Sequence, residues 1–195
     1  IGGRQAEDID SFKEIAPTVN LAVDGQDYMN SFKTVVTDLG NLFDKQDEAK
    51  KAIDEIEAKI AKVNKTVKEK GLTASVVMAN EGSISTFSAK SRYGLIYNGL
   101  GFAEVDKNID DSTHGQQVSF EYFLENKSDY VFVVDRGAVT GKGEAASKLF
   151  DNEVMNKTEV KNGNIVYLNS VIWYTMTGGI ESTNQMIDEI ADAIK

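Results

Sequence analysis

The residues of this chain best suited to chemistry are few. Of 21 basic residues only three are arginines, Arg4, Arg92 and Arg136, and the rest are lysines. A lysine-rich background replaces arginine wherever a simple surface charge is enough. The arginines that survive are therefore candidates for gripping anionic oxygens, which a point charge cannot do bidentately. Taken singly, each could equally be a structural ion pair. The only histidine, His114, sits in the polar run Asp110-Asp-Ser-Thr-His-Gly115, and the only tryptophan, Trp173, is followed by Tyr174. Guanidinium, imidazole, phenol and indole together suit a large anionic ligand with aromatic character.

Enzyme signatures fail. Gly137-Ala-Val-Thr-Gly141-Lys142-Gly143 resembles a phosphate loop, but it is one residue short and has Gly143 where Ser or Thr must hold magnesium. Gly99-Leu-Gly101 lacks a third glycine and does not follow a strand. With no cysteine and one histidine there is no thiolate site, no HExxH motif and no serine triad in a nucleophile elbow.

The net charge of −10 argues against nucleic acid and against charge-driven docking on anionic lipid. No apolar run approaches the ~20 residues of a membrane span. Apolar residues make up 41% of the chain, enough for a real core. The opening Ile1-Gly2-Gly3-Arg4 reads like the tail of a strand entering a loop, as if cut inside a domain.

The elements that would position these residues are legible in part. Thr18 to Val23, after Pro17, predicts a short strand, and Tyr28 to Phe43 has helical spacing through Met29, Phe32, Val36, Leu39 and Phe43. From Lys45 to Lys70 apolar residues recur at Ala49, Ile53, Ile56, Ile60, Val63 and Val67. That stripe predicts one helix of roughly 40 Å, capped by Asp44 and stopped by Gly71. It is best read as a strut between two lobes, with a coiled coil as the alternative. Beyond Gly71 the pattern alternates: strands over 73–79 and 84–87, a helix over 93–100 started by Ser91, a helix over 118–125 and a buried strand over 130–134. A helix over 145–150, a turn at Asn162-Gly163, a strand over 165–168 and a terminal helix with Ile180, Ile187, Ile190, Ala191 and Ile194 inward complete it. The fold class is α/β with a Rossmann-like, mainly parallel sheet in the lobe 72–195. Residues 25–71 would be connecting helices, and 1–24 would precede them as a short segment cut from a longer domain. Arg92 and Arg136 follow strands, and the crevice beyond strand carboxyl ends is where such sheets bind ligands.

The run Arg92-Tyr-Gly-Leu-Ile-Tyr-Asn-Gly-Leu-Gly-Phe102, then Thr113-His-Gly115, Val118-Ser-Phe-Glu121 and Asp129-Tyr-Val-Phe-Val-Val-Asp-Arg136 resembles the helical-backbone solute-binding proteins of iron-siderophore ABC importers. Within these it is most similar to the catecholate branch of petrobactin and enterobactin receptors. The resemblance implies two α/β lobes on one long helix, with 1–24 as the end of a truncated N-terminal lobe, and no enzymatic activity. It implies no intrinsic cofactor, a ferric catecholate siderophore as ligand, and an ABC permease as partner. Arg4, Arg92 and Arg136 would surround the trianionic chelate, with Trp173 in the same pocket. His114 and Tyr174 would complete the iron shell when the chelator is tetradentate. Glu121 would dock on the permease. The native protein would be extracytoplasmic, periplasmic or held by a lipid anchor absent from this chain. Haem or cobalamin as cargo, or a structural lipoprotein, are the alternatives.

Overall fold

The structure, a computed structural model, describes residues 1–112, 114–158, 160 and 164–195, and of Arg4 the backbone alone. The turn expected at Asn162-Gly163 and Thr113 of the polar loop lie outside the described residues.

The centre is a six-stranded sheet. Its strands are β1 (Thr73–Asn80), β2 (Ser83–Phe87), β3 (Ala103–Glu104), β4 (Gln116–Val118), β5 (Tyr130–Asp135) and β6 (Ile165–Tyr167). They run in the order β4-β2-β1-β5-β6, with β3 also paired to β1. β1 is parallel to β3 and β5, and β5 is parallel to β6, whereas β2 lies antiparallel to both β1 and β4. The sheet is thus mixed and mostly parallel. β1 and β5 are near-continuous apolar runs because both faces are covered. Val76, Phe132 and Val134 enter one core, while Val77, Val131 and Val133 enter the other.

The larger core unites the sheet with α2 (Tyr28–Leu42), α3 (Gln46–Lys70), α7 (Ser170–Thr175) and α8 (Ile180–Ala193) through Phe32, Ile56, Trp173 and Ile190. The smaller core takes Phe123 of α4 (Tyr122–Glu125) and Ala146 of α6 (Ala146–Leu149), with Phe150 and Met155. The stripe foreseen on α3 is its buried face: Ile56 and Val67 are fully inaccessible. Gly71 ends the helix in the left-handed region at φ 62°. The helices at 25–71 therefore share one core with the sheet.

Some elements differ from the sequence reading. Among the described residues, 18–23 join no strand of the sheet; Ile1 pairs with them, donating to the Val19 carbonyl and accepting from Leu21 N–H, both at 2.8 Å. Ahead of them lie a 3-10 helix, Gly3–Asp8, and α1 (Ile9–Ile15). Asp44 is not the cap of α3. Lys45 N–H closes a tight turn onto the Gly40 carbonyl at 2.7 Å, which leaves Asp44 at φ 54° and Lys45 at the cap position. The helix expected over 118–125 is a strand followed by one helical turn, because Val118 pairs opposite Ile84 at the sheet edge. The helix expected over 93–100 is a π-helical segment, Leu95–Gly99. The helices α5 (Arg136–Thr140) and α7 had no periodicity long enough to announce them.

The segment carrying Arg92 is held from two sides. Tyr97 of the π segment accepts from Val76 N–H and donates to the Phe87 carbonyl, each at 3.1 Å, tying it to β1 and β2. On the other side Gly25 lies flat against the Arg92 backbone. A Cβ at Gly25 would stand 2.4 Å from Arg92 Cα and 2.8 Å from its carbonyl oxygen. Gly25→Ala must therefore displace the Arg92 backbone, at a cost of roughly 1–3 kcal/mol. Chemical denaturation should show a lower midpoint with an unchanged slope.

Candidate functional site

Arg136 is the first residue of α5, immediately past the carboxyl end of β5. Both oxygens of Asp135 before it accept backbone amides: Oδ1 accepts from Ala138 N–H at 2.9 Å and Oδ2 from Ala146 N–H at 2.7 Å. The carboxylate nearest in sequence to Arg136 is therefore spent on backbone amides. Arg136 is held instead by neutral oxygens. Its Nε donates to Tyr174 Oη and its Nη1 to Asn80 Oδ1, both at 2.8 Å.

Arg92 approaches the same tyrosine from the turn after β2. Its Nη2 donates to the Tyr174 carbonyl at 2.9 Å. Its guanidinium carbon lies 4.9 Å from the Tyr174 ring centroid and 5.3 Å from that of Tyr93, within cation–π range. The Arg136 guanidinium carbon lies 5.8 Å from the Tyr174 ring. Among the described residues neither arginine pairs with a carboxylate. Both are half-buried and oriented, and among the described residues uncompensated.

Arg92, Arg136 and Tyr174 line a cavity of about 810 Å³, whose wall also includes Gly2, Gly3, Gln5 and residues 21–23. That volume falls within the roughly 300–1,000 Å³ usual for small-molecule sites. Tyr93, behind Arg92, is 1% exposed, and burial pushes its phenol up to about 12. Its hydroxyl has no partner among the described residues. It acts as an uncharged floor for the guanidinium.

The other residues singled out in the sequence are placed as follows. Trp173 does not line the cavity. It is wholly buried in the larger core, and its Nε1 donates to Glu189 Oε2 at 2.8 Å. A helix turns neighbouring residues to different faces, so α7 gives Tyr174 to the cavity and Trp173 to the core. His114 is exposed in the loop before β4 and is not part of the cavity wall. Arg4 lies between Gly3 and Gln5, both on the wall, but its side chain lies outside the described residues. Glu121 is exposed at the start of α4, and a hydrogen bond with Ser119 holds its carboxyl below the usual range. Among the described residues no three His, Cys, Asp or Glu side chains gather as a metal site, and no helix is long and apolar enough to cross a membrane. Sequence reasoning missed Asn80. Its only signal is position, at the last residue of a buried strand.

The chain is 44% identical over 196 residues to the petrobactin-binding protein YclQ of Bacillus subtilis, covering all of this chain and 62% of that protein. It is 33% identical to the ferric-anguibactin-binding protein FatB of Vibrio anguillarum, covering 95% of this chain and 59% of FatB. The chain thus spans about three-fifths of the length of these curated relatives. The crystal structure of YclQ superposes with a TM-score of 0.96, covering 100% of this chain and 69% of that one. The catecholate-siderophore binding protein VctP of Vibrio cholerae gives a TM-score of 0.92 at 30% identity, covering 98% and 70%. A family model described as periplasmic binding protein matches residues 1–172, and the chain belongs to that family.

Proposed function

We propose that this chain is the ligand-binding part of an extracytoplasmic solute-binding protein that captures a ferric catecholate siderophore for an ABC importer. The observation that carries this reading is the pair of half-buried guanidiniums, held by Tyr174 at one cavity and paired with no carboxylate among the described residues. An iron(III) tris-catecholate is a trianion with aromatic faces, and the site offers positive charge and aromatic planes together. The names of YclQ and VctP support the same class of cargo. Arg4 would be the third arginine, delivered by the short 3-10 helix at the cavity wall. Glu121, exposed and charged, would meet the permease. Attachment to the membrane would be through a lipid anchor outside this chain.

Iron enters as cargo within its chelator. Of the two residues considered as iron donors, Tyr174 lines the cavity and His114 does not, so Tyr174 is the one proposed to reach the metal. Its hydroxyl oxygen accepts from Arg136 Nε, which holds it at the cavity wall.

Two substitution series test the reading. Quenching of Trp173 fluorescence by a hexadentate ferric tris-catecholate should report binding by the wild-type chain. Arg92→Lys or Arg136→Lys keeps the charge, loses the planar fork and should weaken binding by roughly 1–3 kcal/mol. The melting temperature should stay nearly constant. A lysine variant that melts early yet binds normally would make that arginine a structural residue.

The second series is Tyr174→Phe against two chelator classes. If the phenol oxygen reaches iron, a tetradentate bis-catecholate should lose far more affinity than the hexadentate chelate. The charge-transfer band of its complex should also shift. Equal losses with an unmoved band would confine Tyr174 to holding Arg136.

A further inference from the structure

We propose that Asn80 is a positioning residue that sets the charge preference of the cavity by holding Arg136 without neutralising it. This rests on the siderophore-binding reading of the cavity and adds a residue to it.

Sheet register creates the contact. β1 and β5 run parallel with Ala79 opposite Asp135, so Asn80, the last residue of β1, and Arg136, the first residue past β5, come next on the same side of the sheet's carboxyl end. Asn80 is fixed there by a two-residue hairpin turn. It pairs with Ser83 across Glu81-Gly82, both of which have positive φ (49° and 84°), as a type I′ turn requires. Ser83 Oγ also donates to the Asn80 carbonyl at 2.7 Å. The side-chain oxygen Oδ1 is left for Arg136 Nη1 at 2.8 Å.

The amide at this place has a chemical consequence. Asn and Asp have nearly the same shape, and an aspartate here would make a stronger, charge-assisted bond to Arg136. It would also cancel the charge the cavity presents. An amide oxygen gives orientation while leaving the full positive charge for an anionic ligand. With Nε on Tyr174 and Nη1 on Asn80, the guanidinium plane is set from two sides. Among the described residues Nη2 makes no hydrogen bond, and Arg136 lines the cavity.

The test compares Asn80→Asp and Asn80→Ala with wild type, titrating each with a hexadentate ferric tris-catecholate at several salt concentrations. Asn80→Asp should lose about tenfold or more in affinity, since a unit charge a few ångströms away at a partly buried site is worth more than one decade. Its salt dependence should be shallower than that of wild type, because the cavity carries less net charge. Asn80→Ala should lose only a few-fold and keep the wild-type salt slope. In an Arg136→Gln background Asn80→Ala should have no effect, since its role is exercised through Arg136. Melting temperatures exclude simple unfolding. Wild-type binding with an indifferent Asn80→Asp, or equal losses for both variants with one salt slope, would overturn the inference while leaving the function intact. A wild-type chain that binds no anionic ferric chelate would overturn both.

Discussion

Two positive charges are kept beside one phenol, paired with no carboxylate among the described residues, and the rest of the site follows from that constraint. Like charges repel, and half-burial raises the cost of each. A carboxylate would relieve both costs, yet the nearest one in sequence, Asp135, is turned onto the amides of Ala138 and Ala146. The relief comes instead from neutral oxygens of Tyr174 and Asn80 and from aromatic faces. Such an arrangement is less stable empty than filled, which is the thermodynamic condition for binding an anion tightly.

The fold makes this possible by register and close approach. Parallel pairing of β1 with β5 brings Asn80 and Arg136 to the same edge. The next parallel neighbour, β6, leads into α7 and so delivers Tyr174. Arg92 comes from the other direction, beyond the antiparallel strand β2, and its backbone is fixed by Gly25 and by the Tyr97 hydroxyl. One tyrosine is touched from both sides only because a glycine permits the N-terminal segment to lie directly on the Arg92 turn. The long helix α3 takes no part in the cavity wall. Its role is to give the sheet a covered face on which these turns stay rigid.

Much of this was legible in the sequence, and the reasons for success and failure are physical. The α3 stripe and the apolar runs of β1 and β5 are long signals, each repeated over enough residues to fix the element type. The scarcity of arginine singled out Arg4, Arg92 and Arg136, and the last two line one cavity. What failed was short or depended on partners. The three residues of β4 become a strand only by pairing with β2, and among the described residues, 18–23 pair with no strand of the sheet. Trp173 and Tyr174 are adjacent in sequence, and only the direction of a six-residue helix decides which one enters the core. Asn80 carries no motif at all; its importance comes from standing opposite Arg136 across a register invisible in one dimension.

The central claim is that the cavity's guanidiniums are oriented but unneutralised until an anion arrives. The chain has only three arginines, so an ¹⁵N-edited NMR spectrum of the arginine Nε–H groups contains few signals and each can be assigned by substitution. Titration with a diamagnetic gallium(III) tris-catecholate should shift the Arg92 and Arg136 Nε–H resonances together, saturating at the same ligand concentration as the Trp173 fluorescence. Resonances of Arg92 and Arg136 that stay fixed while the chelate binds would contradict the account.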